Sequence, residues 1–154
     1  MAYVRRNSTR QDCLELATRL RGEDVKEVLA SRPNAPIGES LYESVEVSYK
    51  SFSVIEEGIG CIAIFGVRES HLGGIPWMLT SDLLFDKSCR KFIRQCKEYV
   101  KELTDDFPYS FNYVSVSNTK AHNWLTWLGF QLDKTHTYTL NGVSFHPFTY
   151  TRKN

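Results

Sequence analysis

The chain has no CxxC pair and no cysteine–histidine cluster at zinc-ligand spacing: its four cysteines, Cys13, Cys61, Cys89 and Cys96, stand apart. That spacing excludes a zinc ribbon or a dithiol redox motif and leaves no metal site to expect. The thiols read as buried and free in a reducing cytoplasm. Cys89 alone is set aside as a weak nucleophile candidate, because it lies beside an expected helix start, where a thiolate is stabilised. An excess of one charge is missing too. Nineteen Lys and Arg against 18 Asp and Glu leave a net charge of +1, so global electrostatics call for neither nucleic acid nor a membrane surface. No apolar run approaches the ~20 residues of a membrane helix. The opening MAYVRRNSTRQD has no apolar core behind its arginines and does not read as a secretory leader. Internal repeats, low-complexity tracts, a Ser/His/Asp order and a carboxylate pair are likewise absent.

What is present suits one folded unit. With 154 residues, 42% of them hydrophobic, the chain can bury a core, and residues 1–154 are expected to form a single domain. A short strand at Tyr3–Arg6 precedes Thr9 and Asp12, which resemble a capping box. The stripe Cys13, Leu14, Leu16, Ala17, Leu20 then marks a helix ended by Gly22, and a second helix is expected from Asp24 to Ala30. Pro33 and Pro36 turn the stretch Ser31–Leu41 into an expected loop. Tyr49–Ile55 alternates as a strand, Glu57-Gly58 offers a turn, and Ile59–Val67 is apolar enough to be covered on both faces. Ile75–Leu84 is the fourth strand candidate. From Cys89, apolar residues at Phe92, Ile93, Cys96, Tyr99, Val100 and Leu103 predict a long amphipathic helix. Tyr109–Val116 reads as a buried strand, and Asn118–Phe130 as a short helix closed by Gly129-Phe130. Gln131–Leu140 and Val143–Thr151 flank Asn141-Gly142, a type I′ hairpin signal. The expected class is α+β, an α/β sandwich with helices flanking one mixed, mostly antiparallel sheet.

This order of elements resembles the GCN5-related N-acetyltransferase (GNAT) family over most of the chain. The residues that carry the resemblance are Val4–Asp12, like the family's opening strand and capped first helix, and Asn118-x-x-Ala121 with Leu128-Gly129-Phe130, like its second acyl-CoA motif. Trp77–Asp82, the charged helix and Phe111–Asn118 resemble, more narrowly, the internal virion protein A group of short-tailed phages, a GNAT-like group linked to virion morphogenesis. The resemblance implies splayed fourth and fifth strands, a C-terminal hairpin and, when active, acetyl-CoA as cofactor. It implies other phage virion or host proteins as partners, and a place in the host cytoplasm or the virion.

Carried over residue by residue, the resemblance puts the cofactor at Leu83, Leu84, Lys87, Ser88, Cys89, Arg90 and Lys91, around the start of the long helix, and at Asn118. The family's glycine-rich phosphate turn is replaced here by Phe85–Lys91, which has no glycine, although helix-start amides and the basic side chains still attract an anion. An ordinary capped helix explains the same residues. For Asn118, pantetheine contact and helix capping both stay open. The family's general-acid Tyr falls at Leu125, which has no proton to give. Asp82 is the best-placed general base, ahead of Glu69 and His71, and it equally suits a turn cap. His122 is the substitute acid, with an exposed helix histidine as the simpler reading. His136 and His146 are expected on the hairpin without special work. Two functions follow: a phage assembly protein on a degenerate acyltransferase fold, or an active acetyl-CoA-dependent N-acyltransferase.

Overall fold

The near-continuous apolar run after Gly60 becomes the centre of the sheet. Strand β3 (Gly60–Ser70) is buried from Cys61 through Val67, as a strand covered on both faces must be. The computed structural model describes residues 3–85 and 90–153, and side chains within that range except at 84–93. Lys87, Ser88 and Cys89 therefore lie outside the described residues, as do the side chains of Leu84, Arg90 and Lys91.

Strand β2 (Lys50–Glu56) and strand β4 (Gly73–Thr80) flank β3 in antiparallel register, and β1 (Tyr3–Arg6) adds to β2. Strand β5 (Tyr109–Ser115) lies parallel to β4, and β8 (Val143–Thr151) runs antiparallel to β5. Two short strands, β6 (Gln131–Leu132) and β7 (Tyr138–Leu140), both pair with β8. Asn141 (φ 48°) and Gly142 (φ 79°) make the left-handed turn between β7 and β8 that the sequence predicts.

Helices α1 (Arg10–Ala17), α2 (Gly22–Ser31) and α3 (Ile37–Glu46) precede β2. Their residues Cys13, Leu16 and Leu41 close over Cys61 and Ile64 on one face of the sheet. Helix α4 (Arg90–Thr104) covers the other face, where Cys96 and Leu103 meet Phe52, Phe65 and Val67. Helix α5 (Thr119–Leu128) adds Ala121 and Leu125 to a third cluster with Val114, Phe130 and Phe148. The capping box is present: the Asp12 amide donates to Thr9 Oγ1 at 3.2 Å and the Thr9 amide donates to Asp12 Oδ2 at 3.0 Å.

Three expectations are corrected. The stretch expected as a loop after Ser31 contains the start of α3. Pro36 stands before the helix, where its missing N–H costs nothing, and Ile37, Leu41 and Val45 form its buried stripe at steps of four. Gly22 begins α2 rather than ending α1. The fourth strand stops at Thr80, and Asp82–Phe85 forms a 3₁₀ turn instead of extending it.

Close packing decides one glycine. A Cβ on Gly66 of β3 would lie 2.5 Å from the indole of Trp77 on β4, whose Nε1–H donates to Ser48 Oγ at 2.8 Å. Gly66→Ala should destabilise the fold by roughly 1–3 kcal/mol through overpacking. Gly22→Ala, whose added Cβ meets nothing within 4 Å, should leave the urea midpoint nearly unchanged.

Candidate functional site

Strands β4 and β5 share one rung, Gly74 with Ser110. Phe107 packs so closely on Gly74 that a Cβ there would lie 2.7 Å from its ring, which ties the two strands together at this end. Beyond the rung they diverge, and the backbone groups along the two inner edges lose their sheet partners. Such groups must be bonded elsewhere when buried.

Side chains take most of them. Asn112 Nδ2 donates to the Pro76 carbonyl at 2.7 Å, and Asn112 Oδ1 accepts from the Tyr113 amide at 2.8 Å. At the open end, Asp24 Oδ2 accepts the Thr80 amide at 3.0 Å, and the Arg21 amide donates to the Thr80 carbonyl at 3.0 Å. Glu27 Oε1 accepts the Ser115 amide at 2.7 Å. The Arg21 guanidinium joins the two strands' partners, donating to Asn118 Oδ1 at 3.0 Å and meeting Asp24 Oδ1 at 3.4 Å. Asn118 in turn donates to Glu27 Oε1 at 3.4 Å. Arg21, Asp24 and Asn118 are all buried. The alternation of β4 turns Met78 to the same edge as Pro76 and Thr80, and its amide and carbonyl line what remains of the gap.

Around that remainder lies a cavity of about 480 Å³. It passes through the sheet, from Ser40, Leu41, Trp77 and Tyr138 on the α3 and hairpin side to Trp124 and Leu125 on the α5 side. The hydroxyls of Ser40 and Thr80 are buried in its wall without a hydrogen-bond partner among the described residues. Burial pushes the Asp24 carboxyl up to about 6, against the pull of the Thr80 amide and of Arg21. Burial likewise raises Glu27 to about 7, the Ser115 amide pulling it back and the Asp24 charge adding to the rise.

The residues singled out from the sequence fall in different places. Asn118 stands before α5 but its side chain makes no capping bond. The capping role is corrected: its amide is spent on Arg21 and Glu27. His122 is buried, not exposed, and its Nε2–H donates to the Ser115 carbonyl at 2.8 Å. It does not line the cavity. Asp82 is exposed on the 3₁₀ turn and borders a second hollow with Arg21, Glu23, Ser117 and Lys120. Leu83 packs into the core under α4. Glu69 lies opposite Gly74 and His71 in the adjoining turn, at the closed end of the gap. Leu125 is 3% exposed within an apolar cluster. His146 is buried with Nδ1 donating to the His136 carbonyl at 2.8 Å, while His136 is exposed beside Asp133. Among the described residues, no group of His, Cys, Asp and Glu could hold a metal ion, and no helix is long and apolar enough to cross a membrane. Arg21, Asp24 and Glu27 were not singled out. Arg21 just precedes α2, Asp24 and Glu27 stand on it beside Val25 and Val28, and that spacing alone does not say which face is buried.

The family described as "Bacteriophage T7, probable scaffold protein Gp13" matches residues 60–137, about half the chain, from β3 through β6. The chain belongs to this family. No curated protein matches it. Among solved structures it is similar to spermidine N-acetyltransferase from Vibrio cholerae in complex with CoA and spermine, at 15% identity and a TM-score of 0.64, covering 97% of this chain and 95% of that one. A GNAT-family acetyltransferase from Bacillus anthracis is similar at 11% identity and a TM-score of 0.68, covering 98% and 95%. A GNAT superfamily phosphinothricin acetyltransferase from Sinorhizobium meliloti, solved with AcCoA, is similar at 12% identity and a TM-score of 0.67, covering 98% and 89%. The fold is that of the GNAT acetyltransferases.

Because Asp24 and Glu27 hold their protons more tightly when folded, their contribution to stability is full below about pH 4 and is lost as pH rises through about 6 and 7. Thermal unfolding should show higher stability at pH 5 than at pH 8, by on the order of 2 kcal/mol. Asp24→Asn with Glu27→Gln should flatten that slope.

Proposed function

We propose that this phage scaffold-family chain works in virion assembly through its surfaces, on an acyltransferase fold whose cofactor chemistry is degenerate, as in the internal virion protein A type. The observation that carries the reading is the occupation of the strand ends. In an acetyltransferase of this fold the gap between β4 and β5 takes the pantetheine arm through free backbone groups. Here Asp24, Arg21, Glu27 and Asn112 hold the groups of Thr80, Ser115 and Pro76. As they stand, these residues do not fit the arm. Leu125 supports the same reading, since an apolar residue packed among Val114, Phe130 and Phe148 offers no proton to a leaving thiolate. Family membership supplies the link to phage assembly. The partners on this reading are other virion or host proteins, met in the host cytoplasm or the particle.

One observation favours the alternative, an acetyl-CoA-dependent N-acyltransferase: the cavity that passes through the sheet beside Trp77, Met78 and Trp124. Its two candidate proton carriers, Asp82 and His122, do not line that cavity. The assembly reading therefore explains more of the site.

Calorimetric titration with acetyl-CoA separates the two. The assembly reading expects no binding at micromolar concentration; a micromolar Kd would overturn it and restore the enzyme.

A further inference from the structure

We infer that the chain carries its own substitute for an extended, amide-bearing ligand: Arg21, Asp24 and Glu27 of the α2 region dock on the strand ends of the gap and occupy the backbone groups there, and removing the two carboxylates frees those groups for a ligand. This rests on the preceding reading that the cofactor arm does not enter the native chain.

The docking begins before the helix. Leu20 forms an antiparallel bridge with Ser81, and the next amide, of Arg21, donates to the Thr80 carbonyl at 3.0 Å. The segment therefore joins the end of β4 as a short added strand would. Asp24 then accepts the Thr80 amide, so both backbone groups of that residue are bonded by one stretch of chain. One helical turn on, Glu27 accepts the Ser115 amide and reaches across to β5. Asp24 and Glu27 are neighbours on α2 because they are three apart, and Arg21 reaches the same place from the extended residue just before the helix. Two strands that share only the rung at Gly74 and Ser110 are thereby bridged at their open ends by a single element.

The chemistry is that of a ligand arm. An extended chain with alternating carbonyls and amides would satisfy the same strand-end groups, and here carboxylate oxygens and one backbone amide supply the acceptors and the donor. Burying one carboxylate and half-burying a second on the next turn is costly unless they are bonded. The raised values of Asp24 and Glu27 express that cost, and the bonds to Thr80, Ser115, Arg21 and Asn118 offset it.

The test compares native chain, Asp24→Ala/Glu27→Ala and Asp24→Asn/Glu27→Gln by thermal shift with millimolar pantetheine as probe, which bypasses any phosphate seat. The alanine variant should melt lower than the native chain and regain roughly 3 °C or more with pantetheine. The native chain and the amide variant, which keeps both acceptor oxygens, should not shift. No rescue of the alanine variant overturns the substitute-ligand proposal and leaves the assembly reading standing. An equal shift in the native chain overturns both. If the double variant does not fold, Glu27→Ala, which frees only the Ser115 amide, is read by the same two outcomes.

Discussion

Two parallel strands joined by a single rung cannot satisfy their own backbones. That constraint organises the centre of this protein. Gly74 and Ser110 pair, Phe107 ties the strands at that end, and beyond it every second residue of each strand turns its backbone polar groups to a gap. Water, a ligand or the protein must bond them. In this chain the protein does most of it, with Asn112 near the rung and α2 at the open end.

The consequence reaches outward from that gap. Because α2 must bring Asp24 and Glu27 to the strand ends, its N-terminus is pinned against β4 through Leu20 and Arg21. Asn118, drawn into the same network, leaves α5 without a side-chain cap. His122, on the first turn of α5, is aimed at the Ser115 carbonyl and away from the cavity. A fold shared with acetyltransferases at 11–15% identity thus houses a centre whose strand-end backbone groups are bonded by the chain's own Arg21, Asp24 and Glu27. Shared architecture does not carry chemistry with it; the site decides.

Much of the frame could be read from the chain. The uninterrupted apolar run of β3, the amphipathic spacing of α4, the Thr9–Asp12 box and the Asn141-Gly142 turn are local signals with local causes, and each appears as expected. Gly129 also behaves as its position promises, closing α5 in the left-handed conformation at φ 105°. What stayed hidden was set by tertiary partners. The prolines before Ile37 concealed a helix whose start one of them suits. Asn118 carries a cap signal that the buried Arg21 and the half-buried Glu27 override. Above all, Arg21, Asp24 and Glu27 look like ordinary surface charges, because no local pattern announces that two strand ends will converge on them. Leu125 is the reverse case: its departure from the expected tyrosine was visible in sequence, and its burial among apolar side chains gives it a packing role.

The central claim is that Asp24 and Glu27 bond the Thr80 and Ser115 amides in the native chain. Residue-resolved hydrogen exchange of those two amides, with and without acetyl-CoA, tests it most directly. The account predicts slow exchange at both without any ligand, on the scale of the central β3 amides, and no change when acetyl-CoA is added. Rapid exchange in the free chain that becomes slow on adding acetyl-CoA would contradict it.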